Sequence, residues 1–288
     1  MKYSYYPGCS LHSTAKEFDL STQAVMEALG IELEELQDWS CCGGSVAGSV
    51  SHEVGMALSA RNVVLAQQQK NDLLAACSGC YNKSARAANA LGNEKERRKI
   101  EPILEDMGLS IPDHPIQVRN IVDVLANDLD LAHHIKTPLT GLRVVCYYGC
   151  LLTRPADITG WDSPRFPMAM DRIAQICGAE VADFHSKTKC CGGPILVPQE
   201  AVALELTKQI LDEAQALEAD CIVLACPLCS TNLELRQPDI EVKYRKDYKL
   251  PVIYITELIG LALGIQPIHL GLDKHLVSTQ PLLKKLKR

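Results

Sequence analysis

The feature that most constrains this chain is a set of five cysteines that occurs twice. The first set consists of Cys9, Cys41-Cys42-Gly43-Gly44 and Cys77-Ser78-Gly79-Cys80. The second set consists of Cys150, Cys190-Cys191-Gly192-Gly193 and Cys226-Pro227-Leu228-Cys229. The three parts of each set are separated by 31 and 34 residues in the first and by 39 and 34 in the second. The pattern predicts a duplicated domain.

The length of 288 residues agrees with two domains, each large enough to bury its own core. The paired cysteines recur after 149 residues but the leading cysteine after 141, so the second copy has eight extra residues early on. The turn-rich segment 161–167 is the expected insertion. We place the domain boundary in the polar link 133–140, which gives domains of 1–136 and 137–288.

Each copy predicts an alternation of strands and helices. In the first copy an aromatic strand ends at Pro7-Gly8 before Cys9, and buried or alternating strands lead to Cys41 and Cys77. Helical patterns follow from Ser13 or Thr14 to 29, from Ser51 or Ser49 to 69, and at 80–91 and 93–107, and residues 119–129 also read as a helix. The second copy repeats this order, with a last strand and helix at 252–263. The predicted class is α/β, with two pseudo-symmetric domains that each contain a small, mainly parallel, Rossmann-like sheet flanked by helices.

The composition excludes several classes of function. The net charge of −6 and the scattered basic residues give no footprint for nucleic acid. The most apolar run, 251–265, is shorter than a membrane span and contains Glu257. The first residues do not follow the order of a signal peptide, which predicts a cytoplasmic protein. In that reducing compartment, thirteen cysteines favour metal or redox chemistry over structural disulfides.

The number and spacing of the thiols favour a cluster with several irons. Thiolates select zinc, cuprous copper or iron–sulfur clusters. A structural zinc ion needs four ligands, commonly from two Cys-x-x-Cys motifs, so a fifth thiolate per set would be idle. Adjacent cysteines in an extended segment point in opposite directions, which suits Cys41 and Cys42 to different irons of one larger cluster. A zinc protein remains the less favoured alternative. In parallel α/β sheets such side chains gather at the carboxyl ends of strands, so each set can converge, near the domain interface.

Other residues near the motifs are weaker candidates. Three histidines could donate protons or shape an anionic substrate pocket, namely His12, His52 and His185. Two lysines, Lys187 and Lys189, could attract a carboxylate or tune a cluster, although a solvated loop is the simpler interpretation. The three remaining cysteines have no spaced partner and are interpreted as buried hydrophobic residues: Cys146, Cys177 and Cys221.

The two motifs resemble the cysteine-rich CCG domains of the B-type subunit of heterodisulfide reductase. The resemblance covers nearly the whole chain, including the opening Tyr5-Tyr6-Pro7-Gly8-Cys9-Ser10-Leu11-His12. It implies that each complete set holds a noncubane [4Fe–4S] cluster. The implied ligands are Cys9, Cys41, Cys42, Cys77 and Cys80 for the first cluster, and Cys150, Cys190, Cys191, Cys226 and Cys229 for the second.

The resemblance also implies an activity and partners. Members of this family reduce a disulfide that lies between the two clusters, such as CoM-S-S-CoB, to two thiols. They receive electrons from a C-type subunit with cubane [4Fe–4S] clusters, which is supplied by a flavin-containing A-type subunit. The second hypothesis is a non-catalytic electron-transfer or docking subunit, because CCG domains also occur in subunits of succinate dehydrogenase, thiol:fumarate reductase and glycolate oxidase. Both five-cysteine sets are complete in this chain, which favours catalysis.

Overall fold

A computed structural model describes residues 1–44 and 47–287. Within these residues the strands form two parallel four-stranded sheets, in the order β2-β1-β3-β4 for the first and β6-β5-β7-β8 for the second. The predicted α/β class with two repeated parallel sheets is thus confirmed.

The first sheet and its helices occupy the N-terminal half. Its strands are β1 (Lys2–Tyr6), β2 (Glu32–Glu35), β3 (Leu73–Ala75) and β4 (Val118–Asn120). Its helices are α1 (Gly8–Leu11), α2 (Lys16–Ala28), α3 (Ala47–Val50), α4 (His52–Gln69), α5 (Ser78–Leu91), α6 (Glu94–Asp106) and α7 (Ile121–Asn127), followed by a 3-10 turn at Leu131–His134.

The C-terminal half repeats this order. Its strands are β5 (Arg143–Tyr147), β6 (Glu180–Val181), β7 (Cys221–Leu224) and β8 (Val252–Tyr254). Its helices are α8 (Ala156–Thr159), α9 (Ala169–Ile176), α10 (Glu200–Ala216), α11 (Pro227–Ser230), α12 (Gln237–Tyr244), α13 (Ile255–Ala262) and α14 (Gln280–Leu286). A π-helical turn, Thr231–Leu235, extends α11, and 3-10 turns lie at His185–Thr188, Gly193–Ile195 and Pro267–Leu270.

Helix starts follow from capping residues that satisfy free backbone N–H groups. The Ser51 hydroxyl accepts a hydrogen bond from Val54 N at the start of α4. The side chain of Asn93 accepts from two backbone N–H groups at the start of α6, and that of Asn120 from one at the start of α7. Between these helices β3 and β7 are buried at every residue, as expected for central strands covered on both faces.

The sequence interpretation misses the helix α14, which follows the predicted last helix, and it is wrong at the edge strand β4. The hydrophobic pattern predicts one helix over residues 119–129, but Val118–Asn120 is the edge strand β4, which pairs in parallel with β3. The helix α7 begins only at Ile121, where Asn120 caps it. A strand of three residues is too short to show an alternating pattern, and its last residue is also the helix cap, so the hydrophobic pattern of α7 hides it.

The two halves pack through a pair of related helix contacts. In one, α2 packs against α13; in the other, α7 packs against α9. The first contact includes the stacked rings of Phe18 and Tyr254, with centroids 4.1 Å apart, and a 2.6 Å hydrogen bond between the hydroxyls of Ser21 and Thr256. Among the described residues, no helix is long and apolar enough to cross a membrane.

Candidate metal centre

The ten cysteines of the two sets lie near the ends of strands. Each set of five therefore lies in one region of its half. Cys9 lies on α1, directly after β1, and Cys77 precedes α5, directly after β3. In the C-terminal half, Cys150 follows β5, and Cys226 lies between β7 and α11. Because β1 and β3 are adjacent parallel strands, as are β5 and β7, the cysteines that follow them lie at the same edge of each sheet.

Thiols that are distant in sequence come into contact within each half. The Sγ atoms of Cys9 and Cys41 lie 3.8 Å apart, and those of Cys42 and Cys80 lie 3.6 Å apart. Cys41 is exposed whereas Cys42 is buried, so these neighbours do point to different partners. The backbone of this segment is held in place by the Ser59 hydroxyl, which donates a hydrogen bond to the Cys42 carbonyl at 3.0 Å.

The C-terminal half has the same thiol contacts. The Sγ atoms of Cys191 and Cys229 lie 3.5 Å apart, and Cys150 interacts with Cys190. Thr207 donates a hydrogen bond to the Cys191 carbonyl, as Ser59 does to Cys42 in the first half. The duplicated sequence pattern therefore corresponds to a duplicated arrangement of sulfur atoms.

The two sets meet where the halves pack together. Cys77 and Cys226 are both buried here, and Cys226 lowers the pKa of Cys77. Beside them, Ser78 donates hydrogen bonds to the Ala225 carbonyl from both its backbone N–H and its hydroxyl, at 3.1 and 2.7 Å. The two cysteine sets therefore lie on either side of a hydrogen-bonded contact between the halves.

Contacts between thiols lower the pKa of some cysteines in the two sets, and burial raises that of others. Contact with the Cys80 thiol lowers the pKa of Cys42 to about 7, although burial acts in the opposite direction. Contact with Cys226 holds the pKa of Cys77 well below its usual range. Burial raises the pKa of Cys41 to about 11. Because the thiolate is the form that binds metals, the lowered pKa of Cys42 and Cys77 suits them to be ligands.

Glycines make room for the sulfurs. A Cβ on Gly8 would lie 2.7 Å from the Cys80 Sγ, and one on Gly149 would lie 3.3 Å from the Cys229 Sγ. Both glycines have a positive φ, +73° and +67°. After the second cysteine pair, the backbone N–H of Gly192 donates to the Cys190 Sγ at 3.3 Å. Such N–H groups tune the electronic properties of a bound group.

Two buried tyrosines beside the thiols were not singled out from the sequence. The Tyr6 hydroxyl donates to the Ser40 carbonyl at 2.8 Å, and the Tyr147 hydroxyl donates to the Lys189 carbonyl at 2.7 Å. Burial and the nearby cysteines raise the pKa of both tyrosines well above the usual value. Their matching positions, three residues before Cys9 and Cys150, are the signal that would have identified them.

The donor set fits a soft metal group. In each half the five cysteines contact one another in pairs and supply only sulfur, the ligand that selects zinc, cuprous copper or iron–sulfur clusters. In the described part of the chain, no three histidine, cysteine or acidic side chains are grouped as one metal ion would require.

The three candidate histidines have different surroundings. His12 is partly exposed, 3.4 Å from Glu35 and edge-on to Trp39. His52 is exposed at the start of α4 and lines a cavity. His185 is exposed, and its backbone N–H donates to Glu213. The fold does not bring the three together.

The two candidate lysines have different surroundings. The Lys187 ammonium is buried and forms a 2.8 Å ion pair with Asp171, which also accepts a hydrogen bond from the Tyr148 hydroxyl. Its backbone carbonyl accepts from Tyr148 and Gly149. This network holds the loop between β5 and Cys150. Lys189 is exposed beside Cys190.

The three cysteines outside the two sets are buried, as predicted. Cys146, Cys177 and Cys221 are each fully buried. Burial raises the pKa of Cys177 to about 12, and it also raises the pKa of Cys146 and of Cys221 well above the usual value. These thiols stay protonated and pack as small apolar side chains.

Comparisons with known proteins agree with this architecture. The family described as CCG, a cysteine-rich domain, matches residues 3–83 and 144–234. The chain is 33% identical to the 8-methylmenaquinol:fumarate reductase membrane anchor subunit of Wolinella succinogenes, over 98% of this chain and 99% of that one. It is 30% identical to the B-type subunit of the ferredoxin/F420H2-dependent CoB-CoM heterodisulfide reductase of Methanosarcina acetivorans, over 99% and 97% of the two chains.

A solved structure shares the fold. The crystal structure of a hypothetical protein from Helicobacter pylori matches with a TM-score of 0.78 at 17% identity; the match covers 96% of this chain and 52% of that chain, so this chain spans about half of its length. At that identity the match supports the fold alone. With both cysteine-rich repeats matched and near full-length relatives at 30% identity or more, the chain belongs to the cysteine-rich CCG-domain family that includes the B-type subunit of heterodisulfide reductase.

Proposed function

We propose that this chain is the catalytic iron–sulfur subunit of a heterodisulfide reductase-type complex, and that it reduces a disulfide to two thiols. The observation that carries the proposal is the pair of complete five-cysteine sets, each with thiols in contact, on either side of the hydrogen bond between Ser78 and Ala225. The relatives named as B-type subunits of heterodisulfide reductases, at about 30% identity over nearly the whole chain, support it.

Each domain, 1–136 and 137–288, would hold one noncubane [4Fe–4S] cluster on its five cysteines. Bound clusters would supply the single-electron steps that a disulfide needs, two electrons in all. The fold of the chain determines which of these thiols are exposed to solvent. Cys42, Cys77 and Cys80 are buried, whereas Cys9 and Cys41 are exposed, so the N-terminal site has a protected base and an open rim.

The reaction requires two electrons and two protons for each disulfide. The electrons would come from a C-type partner protein with cubane clusters, supplied by an A-type flavoprotein. Among the proton candidates, His52 lines a cavity formed mainly by α4 and α5. The cytoplasmic location stays a prediction; the thirteen free thiols are consistent with a reducing compartment.

The proposal is tested by removing one exposed thiol from each set in the assembled complex. Cys41→Ala and Cys190→Ala should abolish disulfide reduction and leave complex assembly intact, because both thiols are exposed and contribute little to the core. Cys177→Ala is the matched control, since it removes a thiol outside both sets. Unchanged turnover in the first two variants would overturn the catalytic role.

A second candidate function is that of a non-catalytic electron-transfer or docking subunit. The observation in its favour is the 33% identity to a fumarate reductase subunit named as a membrane anchor. This alternative predicts that the wild-type complex reduces no disulfide, while loss of the chain detaches or disconnects its partners. Disulfide turnover by the wild-type complex therefore separates the two candidates.

A further inference from the structure

Four titratable side chains from both halves lie close together, outside the cysteine sets. We call them the carboxyl cluster: Glu17 on α2, Glu234 on the π-helical turn, Glu257 on α13 and His275 before α14. The His275 Nδ1 lies 3.1 Å from Glu234, and its Nε2 lies 2.9 Å from Glu257. The Glu257 carboxylate also accepts a hydrogen bond from the Tyr254 N–H at 2.7 Å. Glu17 comes from the N-terminal half and lines the same cavity as Glu234.

This cavity borders both the carboxyl cluster and the second cysteine set. Its volume is about 140 Å³. Glu17 and Glu234 line it, as do Pro227 and Ser230, which each directly follow a cysteine of that set. Lys274 also lines the cavity and is exposed, so the cavity opens to solvent. A volume of this size holds a few water molecules, through which a proton passes between groups that are not in contact.

Glu17 differs from the other two carboxylates of the cluster because it has no partner. It is only 9% exposed. Among the described residues, no other side chain, including that of Lys274, forms a hydrogen bond or an ion pair with its carboxylate. Its position is fixed by close packing, since a Cβ on Gly271 would lie 2.7 Å from the Glu17 Cα. A buried carboxyl group without a cation is favoured in its protonated form.

The charges around Glu17 favour the same form. His275, when protonated, balances one of its two carboxylate partners, Glu234 and Glu257, so one negative charge remains before Glu17 is counted. Burial raises the pKa of Glu17 and the two other glutamates raise it further, which outweighs the opposing effects of its own backbone N–H and of His275. Tyr254, which also lines the cavity, stays protonated because burial raises its pKa well above the usual value.

The first cysteine set has a different residue at the position of Glu234. The segment after Cys226 corresponds to the segment after Cys77 with an offset of 149 residues, which places Ala85 where Glu234 stands. Ala85 is buried and carries no titratable group. A proton held in the carboxyl cluster would therefore serve the second set.

We infer that Glu17 holds an exchangeable proton and donates it, through water in the cavity, to a thiolate released beside the second cysteine set. This inference rests on the proposed function, in which the C-type partner supplies two electrons that break the S–S bond and leave two thiolates. One thiolate takes the proton of Glu17 and becomes a thiol. The Glu17 carboxylate then takes up a proton from solvent through the open cavity. Glu234, Glu257 and His275 act as positioning residues that set the charge around Glu17.

The first test is infrared spectroscopy of the anaerobic holoprotein at about pH 6, where exposed glutamates are ionised. We expect the wild type to show a C=O stretch of a protonated carboxyl group that is missing in Glu17→Gln. Glu27→Gln is the matched control, because Glu27 is exposed on the same helix, and it should keep the band. Identical bands in the wild type and Glu17→Gln, or no band in the wild type, would overturn the inference.

The second test is the pH profile of disulfide turnover by the assembled complex. Loss of a positioned proton donor slows a reaction by about 100-fold or more, so we expect Glu17→Gln to be about 100-fold slower than the wild type. Wild-type turnover should fall as the pH rises through the pKa of Glu17, whereas that of Glu17→Gln should not. Glu17→Asp retains a carboxyl group and should recover part of the rate. Denaturant unfolding and iron content check that each variant is intact.

The two measurements separate this inference from the proposed function. If the wild-type complex reduces no disulfide but the infrared band depends on Glu17, the proposed function fails and the protonated Glu17 stands. If disulfides are reduced and the wild type and Glu17→Gln have the same rate and pH profile, the proposed function stands and the role of Glu17 as proton donor is overturned.

Discussion

At the scale of single residues, Gly8 is the position where the backbone adapts most directly to a sulfur atom. Its φ is +73°, and an added Cβ would lie 2.7 Å from the Cys80 Sγ. Gly30 has a similar φ of +71° but no neighbour within 4 Å of an added Cβ. A comparison of substitutions at these two positions therefore separates the effect of backbone strain from the effect of contact with the thiol.

We predict that Gly8→Ala lowers both stability and iron content, whereas Gly30→Ala lowers stability alone. The strain of a positive φ costs about 1 kcal/mol at both sites. The clash adds about 1–3 kcal/mol at Gly8 and displaces a thiol. Denaturant unfolding and iron analysis of the two variants check this; equal iron content in both would contradict the role of Gly8.

A buried histidine outside the cysteine sets gives a second residue-scale prediction. His275 lies between two carboxylates, 3.1 Å from Glu234 and 2.9 Å from Glu257. Burial lowers the pKa of His275, but the charge of Glu257 and the hydrogen bonds to both carboxylates outweigh it and raise the pKa to about 11. Since the folded pKa lies above the unfolded value, the contribution of protonated His275 is complete below about pH 6.5 and is lost as the pH rises toward 11.

We therefore expect His275→Gln to lower the free energy of unfolding by about 3–5 kcal/mol near pH 6, because it leaves buried carboxylates without their cation. The difference from the wild type should shrink as the pH rises. His133→Gln is the control, because His133 pairs with Asp130 at the exposed surface and is worth less than about 1 kcal/mol. A difference that grows with pH, as measured by denaturant unfolding, would contradict this account.

At the scale of secondary-structure elements, the contact between α2 and α13 holds the halves together. Phe18 is completely buried in it, whereas Leu20, two residues along the same helix, is 40% exposed. We predict that Phe18→Ala costs about 3–5 kcal/mol through lost burial and a cavity, and that Leu20→Ala costs less than about 1 kcal/mol. Thermal unfolding of both variants checks this; similar midpoints would show that the stacked ring of Phe18 contributes little.

Most elements could be predicted because a strand, a turn residue and a capped helix each leave a local signal. The start of α4 at Ser51 is such a case, since the cap and the helical pattern coincide. The edge strand β4 could not be predicted, because three residues carry no periodicity and its place is fixed by pairing with β3, which is distant in sequence.

The candidate site likewise has a part that could be predicted from the sequence and a part that could not. The ten cysteines could be chosen from spacing alone, because a duplicated pattern has few structural explanations. The contact between the two sets could not, because Ser78 and Ala225 are distant in sequence and only the packing of the halves joins them. Lys187 shows the opposite case: its place near Cys190 in sequence suggested an exposed cation, but its ammonium is buried against Asp171.

At the scale of the whole molecule, the duplication places two equivalent sulfur sites on either side of one interface. Ser78, next to Cys77, is hydrogen-bonded there to the carbonyl of Ala225, next to Cys226, so two groups held by the two sets would be neighbours. Two neighbouring one-electron centres match the two electrons that a disulfide requires.

The central claim is that both sets hold iron–sulfur clusters that respond to a thiol. It is tested by metal and acid-labile sulfide analysis, with EPR spectra before and after thiol addition, on anaerobically purified protein. The account predicts about eight irons per chain, four for each five-cysteine set, and a paramagnetic signal that changes when thiol binds. About four irons with one zinc, about two zincs with no visible absorption band, or clusters whose signal ignores thiol would contradict it.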